Sequence, residues 1–243
     1  MKKIGLFVML GLMSMAVFAQ QTIFTIKGTI NWRNNGYVYL SYQDKNGKFK
    51  TDSSAIFNQL FAFNGEINEP KNAYLRSSLP GKNTDDPNYT SLFIEPGDMK
   101  LEITEGNYKN FKLKGCKMQD DATHLAKLKI SINSELKPYQ DAYKVANEAY
   151  LNSVKAKFPQ AEQDVLYMKV DDIQDHFKPY NEQLKQIDYA FISKNPNSYL
   201  SAYLIIFRRH DLSLDSAALF YNGLSLKVKQ SDFGKQIANE ILK

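Results

Sequence analysis

Several groups of residues in this sequence have types and spacings suited to chemistry. Cys116 follows Gly115 and lies between Lys114 and Lys117. Neighbouring cations lower a thiol's pKa and favour the thiolate, so Cys116 is the candidate reactive thiol, poised for a mixed disulfide with a partner. The plainer account is a small, half-buried structural residue whose lysine neighbours are exposed and screened. Asp171, Asp172, Asp175 and His176 cluster on one predicted helix, with Asp172 and His176 four residues apart and able to share a cation. No third ligand is indicated, and a solvated charged face explains the same pattern. Arg208, Arg209, His210 and Asp211 close a predicted helix, where cations complement the dipole or hold a phosphate or carboxylate. Ser201, His210 and Asp211 are the residue types of a hydrolase triad, without a nucleophile elbow or oxyanion loop. Glu95 and Asp98 bracket Pro96-Gly97; paired carboxylates do acid–base work in a cleft, but a hairpin turn needs the same residues. Trp32 with Tyr37 and Tyr39 suits a sugar-stacking face, while strand alternation places them in a core and its rim. The spacings thus assign no catalytic, cofactor-binding or metal-ligating residue, and no cofactor is expected.

The elements that carry these residues change character near residue 118. Before it, short alternating runs are punctuated by turns. Residues 22–32 alternate with Phe24, Ile26, Ile30 and Trp32 on one face, and Asn34-Asn35-Gly36 reads as a hairpin turn into residues 37–42. Asp44-Lys45-Asn46-Gly47 turns into residues 48–57, and residues 60–66 follow with Phe61 and Phe63 on one face. A strand at residues 73–76 comes after Pro70, and residues 79–88 read as a long exposed loop. Residues 91–95 and 100–104 form a hairpin about Pro96-Gly97, and residues 111–115 close the set. Seven or eight strands at this spacing predict an antiparallel sandwich or barrel, of which the β-sandwich is the expected form.

After residue 118 the apolar period becomes helical. Leu128, Ile132, Leu136, Tyr139, Tyr143, Ala146, Tyr150, Val154 and Phe158 step by threes and fours, and so do Leu166, Val170, Ile173, Phe177, Tyr180, Leu184, Ile187 and Phe191. Pro159 between the runs predicts a long antiparallel helical hairpin with its tip at residues 158–161. Pro138 lies 21 residues before Pro159 and Pro179 lies 20 after it, so the two should face each other. Both arms are then expected to bend or break at that level, or each proline to begin a new helix after a short break. Three shorter helices follow, started by Ser198, Ser213 and Ser231 as N-caps, with Gly223 as a C-terminal stop. The fold class is therefore α+β: a signal peptide at 1–19, a β-sandwich at 20–117, a helical hairpin at 118–194 and short C-terminal helices at 195–243.

The first 19 residues set the compartment. Lys2 and Lys3 form a positive region, residues 4–15 an apolar one, and Val17-Phe18-Ala19 precede Gln20. That is a signal peptide cleaved between Ala19 and Gln20, too short to span a membrane. No cysteine follows it to take a lipid anchor, and no later segment approaches the roughly 18 apolar residues of a span. A soluble periplasmic or envelope-associated protein is expected. The net charge of +5, or +3 without Lys2 and Lys3, is too mild to imply nucleic acid or an anionic membrane surface. With one cysteine there is neither an internal disulfide nor a two-cysteine redox centre.

Taken in order, several short motifs resemble a known arrangement. Phe24-Thr25-Ile26-Lys27-Gly28, Thr51-Asp52-Ser53, Phe61-x-Phe63-x-Gly65 with Pro70 after it, Phe93-Ile94-Glu95-Pro96-Gly97-Asp98 and Lys114-Gly115 are similar to the domain of unknown function that precedes the thioredoxin-like domain in exported thiol:disulfide oxidoreductases of certain Gram-negative bacteria. Asn195-Pro196-Asn197-Ser198-Tyr199-x-Ser201-Ala202, Tyr221-Asn222-x-Leu224 and Lys229-x-Ser231-x-x-Gly234-Lys235 resemble the linker region of the same proteins. The resemblance implies that a thioredoxin fold would follow residues 232–242. The sequence has no Cys-x-x-Cys, so the oxidoreductase activity is not carried over. Cys116 stands where the family pattern has serine, and Gln59 where a glycine is common. The expectation is an exported non-catalytic binding or scaffold protein with a protein partner. The alternatives are a redox accessory that docks a separate thioredoxin-like protein, and a hydrolase with a site in the 79–88 loop or at the sandwich–hairpin junction. A homo-oligomer through the apolar stripes stays open.

Overall fold

The computed structural model describes residues 22–77 and 86–242; the expected signal peptide with its Ala19–Gln20 junction and most of the expected 79–88 loop lie outside them. Eight strands form two sheets: β1 (Ile23–Asn31), β2 (Tyr37–Gln43), β3 (Phe49–Ala55), β4 (Leu60–Glu66), β5 (Lys71–Ser77), β6 (Tyr89–Ile94), β7 (Gly97–Thr104) and β8 (Lys112–Lys114). One sheet has the order β4-β1-β7-β8 and the other β3-β2-β5-β6. Alternate residues of each strand point inward. Phe24, Ile26 and Ile30 of β1 and Val38, Leu40 and Tyr42 of β2 are buried in one core, with the Phe24 and Tyr42 rings edge to face at 5.1 Å. Gly28 has no side chain because the Phe61 ring of the neighbouring strand lies over it.

The sandwich corrects two expected hairpins and one strand direction. Asn34-Asn35-Gly36 does reverse the chain, but β1 is already flanked by β4 and β7, so β2 joins the other sheet. Pro96-Gly97 likewise carries the chain between sheets: β6 pairs with β5, and β7 lies parallel to β1 with Phe24 opposite Gly97. The sandwich is thus antiparallel except for one central parallel pair. Turn residues specify that a chain reverses, and they do not say which edge is vacant. The hairpin at Asp44-Lys45-Asn46-Gly47 forms as read, with the Asp44 carboxylate accepting from the Asn46 and Lys48 amides at 2.8 and 3.0 Å. Trp32 also departs from expectation. β1 stops at Asn31, Trp32 takes a left-handed backbone (φ 69°), and its side chain is 85% exposed rather than in the core.

Gln59, standing where glycine is common, adopts a glycine's conformation. Asn58 and Gln59 have φ of 49° and 66° between Phe57 and Leu60, whose amides and carbonyls pair at 2.9 Å. Two consecutive positive φ values are the mark of a tight type I′ turn. Gln59→Gly is expected to raise the unfolding free energy by about 0.5–1 kcal/mol, since the relief of left-handed strain exceeds the added chain entropy; denaturant titration of both forms measures it.

The helical half begins with α1 (Lys117–Leu128) and α2 (Ile130–Lys155), returns through α3 (Gln160–Asp175) and α4 (Phe177–Lys194), and ends in α5 (Tyr199–Phe207), α6 (Leu214–Gly223), α7 (Leu226–Lys229) and α8 (Asp232–Glu240). The hairpin tip falls at Pro159, the residue before α3. Tyr139 stacks on His176 at 4.7 Å and meets Tyr180 at 5.9 Å, so Pro138 and Pro179 do stand opposite each other. The second arm breaks at His176, and Pro179 occupies the first turn of α4, where its missing amide costs nothing. The first arm does not break at Pro138, which lies inside α2; its break is at Lys129. Ser198, Ser213 and Ser231 cap α5, α6 and α8, their hydroxyls accepting from the Leu200, Ser216 and Gly234 amides. The one-turn helix α7 was not indicated by the sequence. Sandwich and short helices share a continuous core, running from Phe24 through Met118 and Phe191 to Ile205 and Ile237.

Candidate functional site

The sandwich meets the helices around a cleft of about 580 Å³. The β4–β5 loop contributes Glu69, the β6–β7 crossover Glu95, the start of α1 Lys117 and Asp121, the α4–α5 turn Lys194 and Tyr199, and α7 Lys227. Local chemistry fixes this arrangement. The first amide of α1 would be an orphan donor; the Glu95 carboxylate accepts it at 2.8 Å from Lys117. In return the Gln119 side chain accepts the Phe93 amide at 2.9 Å. Asp121 accepts from the Ser198 hydroxyl at 2.6 Å and pairs with Lys117. Glu69 accepts the Asp232 amide at 2.6 Å, and Lys71, itself buried, bridges Glu69 and Asp232. Burial pushes the Glu69 carboxyl up even though the Asp232 amide and Lys71 pull it down. Burial also opposes the Asp232 charge, but Lys71 prevails and holds that carboxyl below its usual range.

Each carboxylate of the cleft is therefore held by donors of the protein. The cations are freer: among the described residues no carboxylate pairs with Lys194 or Lys227, and the Lys227 ammonium sits 5.4 Å above the Tyr199 ring. Burial, then the charges of Glu69 and Glu95, raises the Tyr199 hydroxyl pKa, so Tyr199 presents a hydrogen-bond donor. The arrangement can hold a polar group by donors and cations around a neutral ring.

Cys116 immediately precedes α1 and is fully buried. Burial, and after it the negative charge of Glu95, pushes its thiol up to about 12, although the Gln119 and Met118 amides pull the other way. The flanking lysines do not reach it; Lys117 turns to Asp121. The structure thus places Cys116 in the core. A thiol reagent is expected to label it only as fast as the fold opens, and in full once denatured; native labelling at the rate of a free thiol would contradict this placement.

The other sequence candidates are dispersed. Asp175 pairs with Lys178, His176 stacks on Tyr139, and among the described residues no three His, Cys, Asp or Glu side chains are grouped to hold a metal. Ser201 is buried with its hydroxyl donating to the Asn195 carbonyl at 2.7 Å, while His210 is exposed, so the triad types are not assembled. Arg208 does not wait for an anion: it binds Asp188 at 2.6 and 2.9 Å and Asp211 at 3.2 Å. Sequence reasoning missed Asp188, which is fully buried between Arg208 and Lys129. One signal was present: Asp188 falls four residues after Leu184 on the apolar side of α4. Glu69, Lys71 and Asp232 gave no signal, because their meeting depends on how α8 seats against β5.

The architecture is that of a two-sheet sandwich closed at one end by helices. Residues 24–122 match the family described as Domain of unknown function (DUF4369), a segment that takes in β1 through β8 and the first half of α1. No curated protein matches the chain.

Proposed function

We propose that this is an exported, non-catalytic binding protein of the cell envelope whose junction cleft receives a group on a protein partner. The observation that carries the reading is the state of the cleft side chains. Glu69, Glu95 and Asp121 are each engaged by protein donors, whereas Lys194, Lys227 and the Tyr199 hydroxyl are left to face an incoming ligand. Such a set holds and orients; it does not leave a free general base beside a nucleophile. Among the described residues no helix is long and apolar enough to cross a membrane. The resemblance of both halves to exported thiol:disulfide oxidoreductases favours a thioredoxin-like protein as the partner. With Cys116 buried, that docking would be non-covalent.

The test places a photo-crosslinking residue at Lys194 or Lys227, and as a control at the exposed Lys155 at the hairpin tip, in cells expressing the full chain. One envelope protein identified at both cleft positions and not at Lys155 is the expected result, with Gln20 as the first residue of the mature protein. Identical cross-links at all three positions, or a full-length cytoplasmic product, would overturn the reading.

A further inference from the structure

The end of the sandwich away from the cleft carries an unusual pair of loops. β4 runs from Leu60 at this end to Glu66 near the cleft, so the two sites are separated by the length of the strand. Here the segment 31–36 and the turn 56–60 are joined by two backbone hydrogen bonds, Ile30 amide to Gln59 carbonyl and Ile56 amide to Gly36 carbonyl, both 2.8 Å. Each segment thrusts out one aromatic ring. Trp32, the chain's single tryptophan, is 85% exposed and Phe57 is 75% exposed. Trp32 does this in a left-handed backbone that a bulky residue enters at a cost. Strand alternation would have buried the ring; the fold instead spends conformational strain on holding it in water.

The polar residues of the two segments are mostly amides. Asn31, Asn34, Asn35, Asn58 and Gln59 are all exposed. Among the described residues, no side-chain hydrogen bond engages Asn34, Asn35, Asn58 or Gln59. Arg33 is the one charged residue in the two segments, and it is turned inward onto Ser77 and Glu105 with its side chain 12% exposed. The surface thus combines flat apolar rings with neutral groups that both donate and accept. That is the complement of a pyranose chain, whose C–H faces lie on aromatic rings and whose hydroxyls pair with amides. A charged polymer finds no counter-charge here. A second copy of this chain would gain too little, since these two short segments fall far below the roughly 20–30 residues a side of a stable interface.

We propose that Trp32 and Phe57, with the surrounding amides, form a binding platform for a neutral glycan. It lies beyond the cleft reading and does not depend on it. Because Trp32 is the only tryptophan, its emission reports on the platform directly. The processed full-length protein is titrated with cellohexaose, maltohexaose and the hexamer of N-acetylglucosamine. A saturable blue shift with at least one of them, undiminished by added salt, is expected. Phe57→Ala should weaken that binding about tenfold while leaving the reporter in place. Trp32→Gly should abolish binding in affinity electrophoresis and yet raise the Tm, because glycine suits the left-handed backbone; that pairing separates loss of the ring from loss of the fold. Emission unmoved by all three sugars up to about 10 mM would overturn the proposal. So would a shift that follows protein concentration alone, which would assign the rings to contact between copies.

Discussion

Asp188→Ala is expected to remove about 3–5 kcal/mol of stability, enough to unfold a marginal domain. Asp188 is fully buried, and its two oxygens receive Lys129 from the break between α1 and α2 and Arg208 from the end of α5. One side chain on α4 therefore fastens three other helices. Truncating it leaves Lys129 without its counter-charge and Arg208 with only Asp211, the two cationic side chains being 18% and 17% exposed. The loss would come from stranding those charges more than from the attraction itself, because a buried pair gains little over an apolar replacement. The triple change Asp188→Leu, Lys129→Met, Arg208→Met should accordingly recover most of the loss. Urea unfolding of the single and triple variants checks both statements; an Asp188→Ala loss below about 1 kcal/mol would place the trio among ordinary surface pairs.

Gly115→Ala should cost about 3 kcal/mol, the second largest effect. Gly115 has φ 87°, and a Cβ added there would run into the Asp98 carbonyl oxygen of β7. Left-handed strain of about 1–2 kcal/mol adds to a backbone displacement of comparable size. Gly115 is where the chain leaves β8 and enters α1, so the displacement would also disturb Cys116 and the Glu95 bond to the first helical amide. The variant should therefore expose the thiol as well as lower the melting temperature. Calorimetry together with thiol labelling in native buffer measures the two consequences on one sample. Gly47→Ala, at a positive φ with open space around it, should cost less than half as much.

The legible part of this molecule was what depends on local order. Alternation placed most of the strands because one face of each is buried, β3 being the exception with no buried residue, and the three-and-four spacing placed the hairpin arms because their stripe faces a single neighbour. Ser198, Ser213 and Ser231 could be read as caps since capping is satisfied within three residues. Sheet membership was not legible: Asn34-Asn35-Gly36 and Pro96-Gly97 encode reversals, while the vacant edge that receives the next strand is a property of the whole sandwich. Trp32 was misplaced for a related reason, as alternation holds only while the strand continues, and β1 stops one residue short of it. The cleft was the least legible. Its side chains come from five separate stretches, and an acid such as Glu95 looks the same in sequence whether it works on a substrate or caps a helix.

The parallel pairing of β1 with β7 also governs how the fold is reached. Phe24 must find Gly97 across most of the sandwich sequence. Such distant pairing must meet its loop-closure entropy before any contact repays it, so it forms slowly. As the chain emerges, β1 can pair with β4 early, yet its other edge stays bare until β7 arrives. During that interval Ile26 and Ile30 are offered to any passing strand. The protein's most vulnerable moment is thus a stage of its synthesis, when its first strand is waiting for its seventh.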